Sequence, residues 1–378
     1  MIKTLFWVFM GIILYVYFGY PLLLITLSNF IKRPIKEGDV EPSVSMIIAA
    51  YNEEKSIRRK IENTLVLDYP KDKLEIIVAS DGSTDGTNET IRNFEGKGVN
   101  LIFEKEHGGK SFIQNRAVEE AKGEIIVFSD ATTMCEKDAL KKLVRNFADL
   151  KVGCVTGKAV YVNPKESATG EGESLYWRYE LSLRKLESDL GILAMGSGCF
   201  FGIRKSLFRT LDANVSDDFV LPLSAVRNCK RVIYESEAVV WDTVVTTSAG
   251  LLKTKARTIG MDIKGLFLFK DLLNPFNYFG VTWSLISHKL LRWVVPYFLV
   301  VIFVVNLFLL KGVLYRISFG FQTAFYLLAG LGWWHQKNER RSRILGIPFS
   351  FCVVNAAALL GTARYFLGKA SGKWEPIR

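Results

Sequence analysis

Short apolar, β-branched runs that each end in a polar cluster organise the first third of the chain. Val44–Ala50 (VSMIIAA) runs into Tyr51, Asn52, Glu53 and Glu54, and Leu74–Ser80 (LEIIVAS) runs into Asp81–Gly86 (DGSTDG). Glu124–Ser129 (EIIVFS) runs into Asp130–Thr133 (DATT). Such runs, separated by helix-length segments, predict βαβ units and a parallel sheet buried on both faces. Ligands of these sheets bind in the crevice beyond the carboxyl ends of the strands. Here those ends carry acids, amides and hydroxyls, with glycines that allow close approach to the backbone. That is the composition of a nucleotide pocket on an α/β domain.

A second pattern frames the first. Leu5–Leu27 is apolar and uncharged, long enough to span a bilayer. It is too long for the apolar part of a cleavable signal peptide, which reads as a retained anchor over residues 1–30. Trp293–Leu310, Ile317–Trp334 and Ile344–Leu367 are three further expected spans in a block over 285–368, and Arg364 is near enough to the end of the last to snorkel. Between anchor and spans, 40–260 forms the expected soluble domain, with Glu37–Pro42 as linker. Met261–Phe279 mixes charge with Leu and Phe and is expected to give interfacial amphipathic helices over 261–284, broken near Pro275. His288, Lys289 and Arg292 at the head of the second span either snorkel to headgroups or line a polar path.

Charge sets the orientation. Lys32, Arg33 and Lys36 follow the first span, and Lys337, Arg340, Arg341 and Arg343 separate the last two. The positive-inside rule then puts the soluble domain in the cytoplasm, at a bacterial or archaeal plasma membrane. Four full spans leave the basic tail 369–378 outside, in tension with that rule. The net charge of +11, from 49 basic and 38 acidic residues, suits anionic lipid headgroups; no zinc-finger spacing or aromatic RNA-binding motif supports a nucleic-acid partner. Five cysteines without close pairing fit a reducing compartment.

Candidate chemistry follows the strand ends. The ordered series is Pro42–Glu54 (PSVSMIIAAYNEE), Ser80–Thr87 (SDGSTDGT), Gly108-Gly109-Lys110 with Asn115-Arg116-Ala117, then Ser129–Thr132 (SDAT). It resembles the nucleotide-sugar half of family 2 glycosyltransferases, relatives of chitin, hyaluronan and cellulose synthases. The resemblance implies a GT-A fold: a Rossmann-like mixed sheet with helices on both faces, here with one N-terminal and about three C-terminal transmembrane helices.

It also implies roles. Asp81 takes the place of the residue that binds a uracil-type base, though Asp-Gly equally suits a tight turn. Tyr51 falls in the donor-binding segment. Glu53 contacts base or ribose, or serves as a first-turn helix acid. Lys110 meets phosphate or holds the base pocket. Asp130 carries the metal–diphosphate site, for Mg²⁺ or Mn²⁺. The family's Asp-X-Asp has Thr132 at its third position, leaving a hydroxyl or water to complete the metal shell.

Met195–Gly202 (MGSGCFFG) resembles the acceptor-side glycine segment, with Gly196, Ser197 and Gly198 lining it. Ser216–Leu221 (SDDFVL) resembles the Glu-Asp motif, with Asp217 at the Glu position and Asp218 as the base that deprotonates the acceptor hydroxyl. Lys253–Thr258 (KTKART) falls where processive members carry Gln-X-X-Arg-Trp. Arg257 matches the arginine that grips the diphosphate, and Thr258 replaces the tryptophan that stacks the growing chain. Trp374 is familiar in related tails without a stated mechanism. The implied activity is inverting transfer from a nucleotide-sugar, most simply a UDP-sugar, to a growing polysaccharide at the cytoplasmic face. A lipid-linked acceptor with single addition is the alternative enzyme, and an inactive membrane scaffold the alternative class. Oligomers or accessory subunits are compatible with any of these.

Overall fold

The expected strands form, and their ends line up. The computed structural model describes residues 1–162, 168–243, 247–338 and 342–369. Its strands are β1 (Val44–Ala50), β2 (Leu74–Asp81), β3 (Val99–Glu104), β4 (Ile125–Asp130), β5 (Met134–Cys135), β6 (Val152–Val162), β7 (Phe200–Arg204) and β8 (Arg231–Thr243). They join in one sheet of order β3-β2-β1-β4-β7-β6-β8-β5. The first four run parallel; β7 is antiparallel to both β4 and β6, β6 and β8 are parallel to each other, and β5 is antiparallel to β8.

Every residue of β1 is buried, as a central strand covered on both faces must be. Its two side-chain sets feed two cores. Met46 and Ile48 pack with Ile57, Ile61 and Phe94 on one face; Ile47 packs with Ile113, Phe128 and Phe219 on the other. Register does the positioning: Ala50 pairs with Ser80 and Ala49 with Asp130, so the ends of β1, β2 and β4 open on one edge.

Among the described residues, three helical stretches are long and apolar enough to cross a bilayer: Ile2–Phe30, Pro275–Leu307 and Ile344–Phe366. This corrects the expected count of C-terminal spans from three to two. The segment around Ile317–Trp334 does form a helix, Val313–Lys337. However, Arg316, Gln322, His335, Lys337 and three glycines dilute its apolar character. Trp374, Arg340, Arg341 and the tail from Ala370 onward lie outside the described residues.

The segment over 261–284 is broken where Pro275 predicted. The helix Ser248–Leu268 ends before a 3₁₀ turn at Lys270–Leu273, and Pro275 occupies the first turn of the next helix, capped by Asn274. The helix Arg343–Phe366 lies against Ser248–Leu268 so closely that a Cβ on Gly361 would stand 2.6 Å from the Ala256 carbonyl oxygen. The first span is tied to the second through Tyr15, which accepts from Trp283 Nε1 at 2.8 Å and meets Ser287 Oγ at 2.8 Å. Tyr15 opens the π-helical turn Tyr15–Gly19 and Ser287 lies in the π-helical turn Leu285–Leu290. The extra residue in such a turn redirects side chains. Here it accompanies an inward-facing His288, 1% exposed.

Candidate active site

The donor edge is stitched together by its own polar residues. Asn52, in left-handed backbone at φ 53°, accepts from the Thr84 N–H at 2.8 Å, and its own N–H donates to Ser83 Oγ at 3.1 Å. The Glu53 N–H donates to Thr87 Oγ1 at 2.8 Å. Its carboxylate accepts the hydroxyl of Ser56 in the first helical turn, an arrangement of the capping kind.

Asp81 is fully buried and heavily engaged. Its carboxylate accepts the backbone N–H groups of Gly108 and Gly109, each at 2.8 Å, and lies 2.8 Å from His107 Nδ1. A carboxylate offers about four acceptor sites, so three are committed to this loop and one is left. The loop needs its glycines: Gly109 has φ 97° and ψ 162°, backbone open essentially to glycine alone. His107 stacks on Tyr51 with ring centroids 4.0 Å apart, and its Nε2 is buried without a partner. His107 was not singled out from the sequence; the signal was its place directly before the glycine pair.

Lys110 begins the helix Lys110–Glu120 and joins the two acidic groups of the site. Its Nζ is 2.8 Å from Asp130 Oδ1 and 3.3 Å from Asp217 Oδ2. Burial works against the ammonium charge, but Asp130 and Asp217 outweigh it and hold Lys110 above the usual lysine value. Burial pushes the Asp130 carboxyl up; Lys110 partly offsets this, and the charge of Asp242 adds to the rise. Asp217 also accepts from Gln114 Nε2 at 2.6 Å.

Asp242, at the end of β8, is the second residue sequence reasoning missed. Thr132 Oγ1 and Thr133 Oγ1 each donate to it at 3.0 Å. The pairing of β5 with β8, Met134 opposite Trp241, delivers it there. A lone acid closing an apolar run (Ala238–Asp242, AVVWD) was the only signal. The donor set near Asp130 is therefore all oxygen, which fits a hard divalent cation. Among the described residues no group of three carboxylate, imidazole or thiol ligands forms.

The other half of the site opens on a cavity of about 350 Å³. Asp218, Gly196, Ser197 and Gly198 line it together, with Thr254, Thr258 and Asp262 from the helix Ser248–Leu268. Ser216 Oγ donates to Asp218 Oδ1 at 2.5 Å, and the Gly196 N–H donates to the Asp218 carbonyl at 2.7 Å. A Cβ on Gly198 would sit 3.2 Å from Asp218 Oδ2, so glycine leaves that oxygen accessible. Burial raises the Asp218 carboxyl above its usual range and the charge of Asp217 adds to this, while Ser216 and Lys110 act against it. Asp217 itself faces Lys110 and Gln114 rather than the cavity. Arg257 is half-buried on the same helix, but its neighbours Thr254, Lys255 and Thr258 line the cavity and it does not.

Residues 45–212 match the family model described as glycosyl transferase family 2. That stretch is similar to a family 2 glycosyltransferase domain. It is 29% identical over 233 residues to the poly-beta-1,6-N-acetyl-D-glucosamine synthase of Staphylococcus aureus, the match taking in 60% of this chain and 56% of that protein. The synthase of the same name from Staphylococcus epidermidis is 28% identical over 224 residues, 57% of this chain and 53% of that one. The chain thus matches just over half the length of these curated relatives. Among solved structures, the mannosyltransferase PcManGT from Pyrobaculum calidifontis, in complex with GDP-Man and Mn²⁺, superposes with a TM-score of 0.73 at 21% identity, covering 97% of this chain and 99% of that one. The fold is GT-A with membrane-length helices attached.

Proposed function

We propose that this chain is a membrane-integrated inverting glycosyltransferase that moves a sugar from a nucleotide-sugar to a hydroxyl in the cavity beside Asp218. The observation that carries the reading is the continuity of Asp130, Lys110, Asp217 and Asp218 along one edge, joining the donor edge to the cavity beside Asp218. The Tyr51–His107 stack offers a flank for the base, and the buried Asp81 fixes the loop that carries it. The sugar and the base are left open: relatives of this domain include an N-acetylglucosamine polymerase by name and a structure solved with GDP-mannose.

The chain's residues divide the transfer as follows. Asp218 Oδ2 takes the proton of the acceptor hydroxyl while Ser216 holds Oδ1. The acceptor oxygen forms its bond to the anomeric carbon from the face opposite the diphosphate. The bond from that carbon to the diphosphate oxygen breaks, and the electron pair leaves with the nucleoside diphosphate. Lys110 lies where that charge develops. Asp130 and Asp242 would hold a divalent cation such as Mg²⁺ or Mn²⁺, with Thr132 and Thr133 fixing Asp242. When bound, that cation supplies charge neutralisation for the departing diphosphate. Arg257 keeps the diphosphate role implied by its motif.

For the acceptor, the resemblance to a polysaccharide synthase favours a growing chain at the cytoplasmic face. A second reading, single addition to a lipid-linked acceptor, is favoured by Thr258, which lines the cavity where processive members carry tryptophan. Nucleoside diphosphate release by detergent-purified protein, across UDP- and GDP-sugars with Mg²⁺ or Mn²⁺, tests the enzyme reading. Release with one donor that is lost in Asp218→Asn supports it. Silence across the panel with acceptor lipid supplied would leave the scaffold reading in its place.

A further inference from the structure

Behind Asp218 the cavity is built from charged residues that the transfer chemistry leaves unused. Arg184 is only 6% exposed and lines it with Glu180, His288 and Arg292. Glu180 serves three cationic or imidazole partners at once: Arg184 Nε at 3.3 Å, His288 Nε2 at 3.1 Å and Arg292 Nη1 at 2.9 Å. Burial alone would raise the Glu180 carboxyl, yet these neighbours hold it well below the usual range. One carboxylate shared among these groups cannot satisfy two guanidiniums, each with five donors. Two terminal nitrogens are left over. Arg184 Nη1 and Arg292 Nη2 are both buried and have no hydrogen-bond partner. The Arg184 guanidinium lies over the Trp177 ring at 5.3 Å and that of Arg292 over the Tyr179 ring at 5.2 Å, contacts that hold the two cations beside the cavity without supplying a further acceptor. An unmet donor on a buried cation is costly, and an anionic oxygen is the partner it lacks.

The membrane-length helices add an apolar part of the wall, Trp293 from one span and Val354 and Ala358 from another, beside polar residues such as Lys255, Asp262 and Lys289. We propose that this cavity seats the phosphate ester of a lipid acceptor, with its oxygens held by the guanidiniums of Arg184 and Arg292 and its tail leaving between the spans. The inference rests on the transferase reading and names its acceptor class. A neutral saccharide chain would have no use for two desolvated guanidinium donors within the wall that faces Asp218.

The test is equilibrium binding to the full chain in detergent, with farnesyl phosphate, farnesol and inorganic phosphate as probes. Each is titrated with Mn²⁺ and saturating UDP or GDP, whichever binds. Farnesyl phosphate should bind at least tenfold more tightly than farnesol and than inorganic phosphate. That preference should disappear in the Arg184→Gln, Arg292→Gln double variant. A preference below tenfold over farnesol in the wild type overturns the proposal, and so does its retention in a folded double variant. Inorganic phosphate that binds as tightly as farnesyl phosphate overturns the lipid assignment, because the tail then adds nothing. If the double variant does not fold, the wild-type preference decides alone. Failure of the wild type to bind either nucleotide with Mn²⁺ would remove the transferase reading and this inference with it. Nucleotide binding without a phosphate preference would remove only this inference.

Discussion

Thr132 donates its hydroxyl to Asp242 at 3.0 Å, across 110 positions of sequence. The residue at the third position of the Asp-X-Asp resemblance therefore carries no carboxylate of its own but holds one by hydrogen bond. The acid is supplied from the end of β8 instead of from two residues beyond Asp130. Asp242→Asn is expected to weaken Mn²⁺ binding in the presence of nucleoside diphosphate. Thr132→Val, which removes only the supporting hydroxyl, should cost about 10–100-fold in metal affinity. Calorimetric titration of Mn²⁺ reads both. Unchanged affinity in Asp242→Asn would remove Asp242 from the metal site.

The Lys110 bridge predicts a coupled loss. Lys110→Met leaves Asp130 and Asp217 facing each other without the shared cation, and neither carboxylate is freely solvated. Hydrogen bonds to charged groups contribute about 1.5–3 kcal/mol, so about 2 kcal/mol of stability should go. Nucleoside diphosphate affinity should fall in the same variant. A variant with wild-type thermal midpoint and wild-type nucleotide affinity would show the bridge to be idle.

Gly109 carries a backbone prediction. At φ 97° and ψ 162° an alanine is strained by about 1–3 kcal/mol. The strain falls on a residue whose N–H binds Asp81. Gly109→Ala should lower both the thermal midpoint and nucleotide affinity. Gly96→Ala is the control, since a Cβ there meets nothing within 4 Å and its φ is not in the left-handed region. Equal behaviour of the two variants would argue against the strain.

The strand ends were legible because period and punctuation agreed: β1, β2 and β4 are short apolar runs closed by Asn52, Asp81 and Asp130. Asp242 was not legible, because its value comes from pairing between β5 and β8, which no local pattern encodes. The Glu180–Arg184–Glu187 series was hidden for a different reason. At spacings of four and three it reads as the solvated face of an amphipathic helix. The packing of the spans against that face buries it, with Tyr20 donating to Glu187 at 2.6 Å and His288 between Glu187 at 2.8 Å and Glu180 at 3.1 Å. The same packing settles the two readings of His288, Lys289 and Arg292 at the head of that span. They turn inward, Lys289 to Asp262 at 3.3 Å, rather than out to headgroups. The miscounted span has a compositional cause: Val313–Lys337 is long enough but carries too many polar and glycine positions.

Asp262 gives the protein a titration of its own near pH 6. Burial pushes its carboxyl up from 3.8 to about 6; Lys289 opposes the rise and the charge of Asp218 adds to it. The folded chain therefore holds this proton more tightly than the unfolded chain does. Ionisation weakens the fold as pH climbs from about 4 through about 6, and by about pH 7 the loss is complete and constant. A shift of about two units corresponds to about 3 kcal/mol. Other carboxylates titrate in the same range, so the informative quantity is the wild-type stability curve minus that of Asp262→Asn. That difference should fall by about 2 kcal/mol between pH 4 and pH 6, by about 3 kcal/mol over the whole titration, and be flat above pH 7. The variant also leaves Lys289 without its carboxylate, which offsets the whole curve but does not restore the slope. Urea or thermal unfolding in detergent at half-unit pH steps measures it. A difference curve that is flat from pH 4 to pH 6 would show that Asp262 ionises at an ordinary carboxylate value despite its burial.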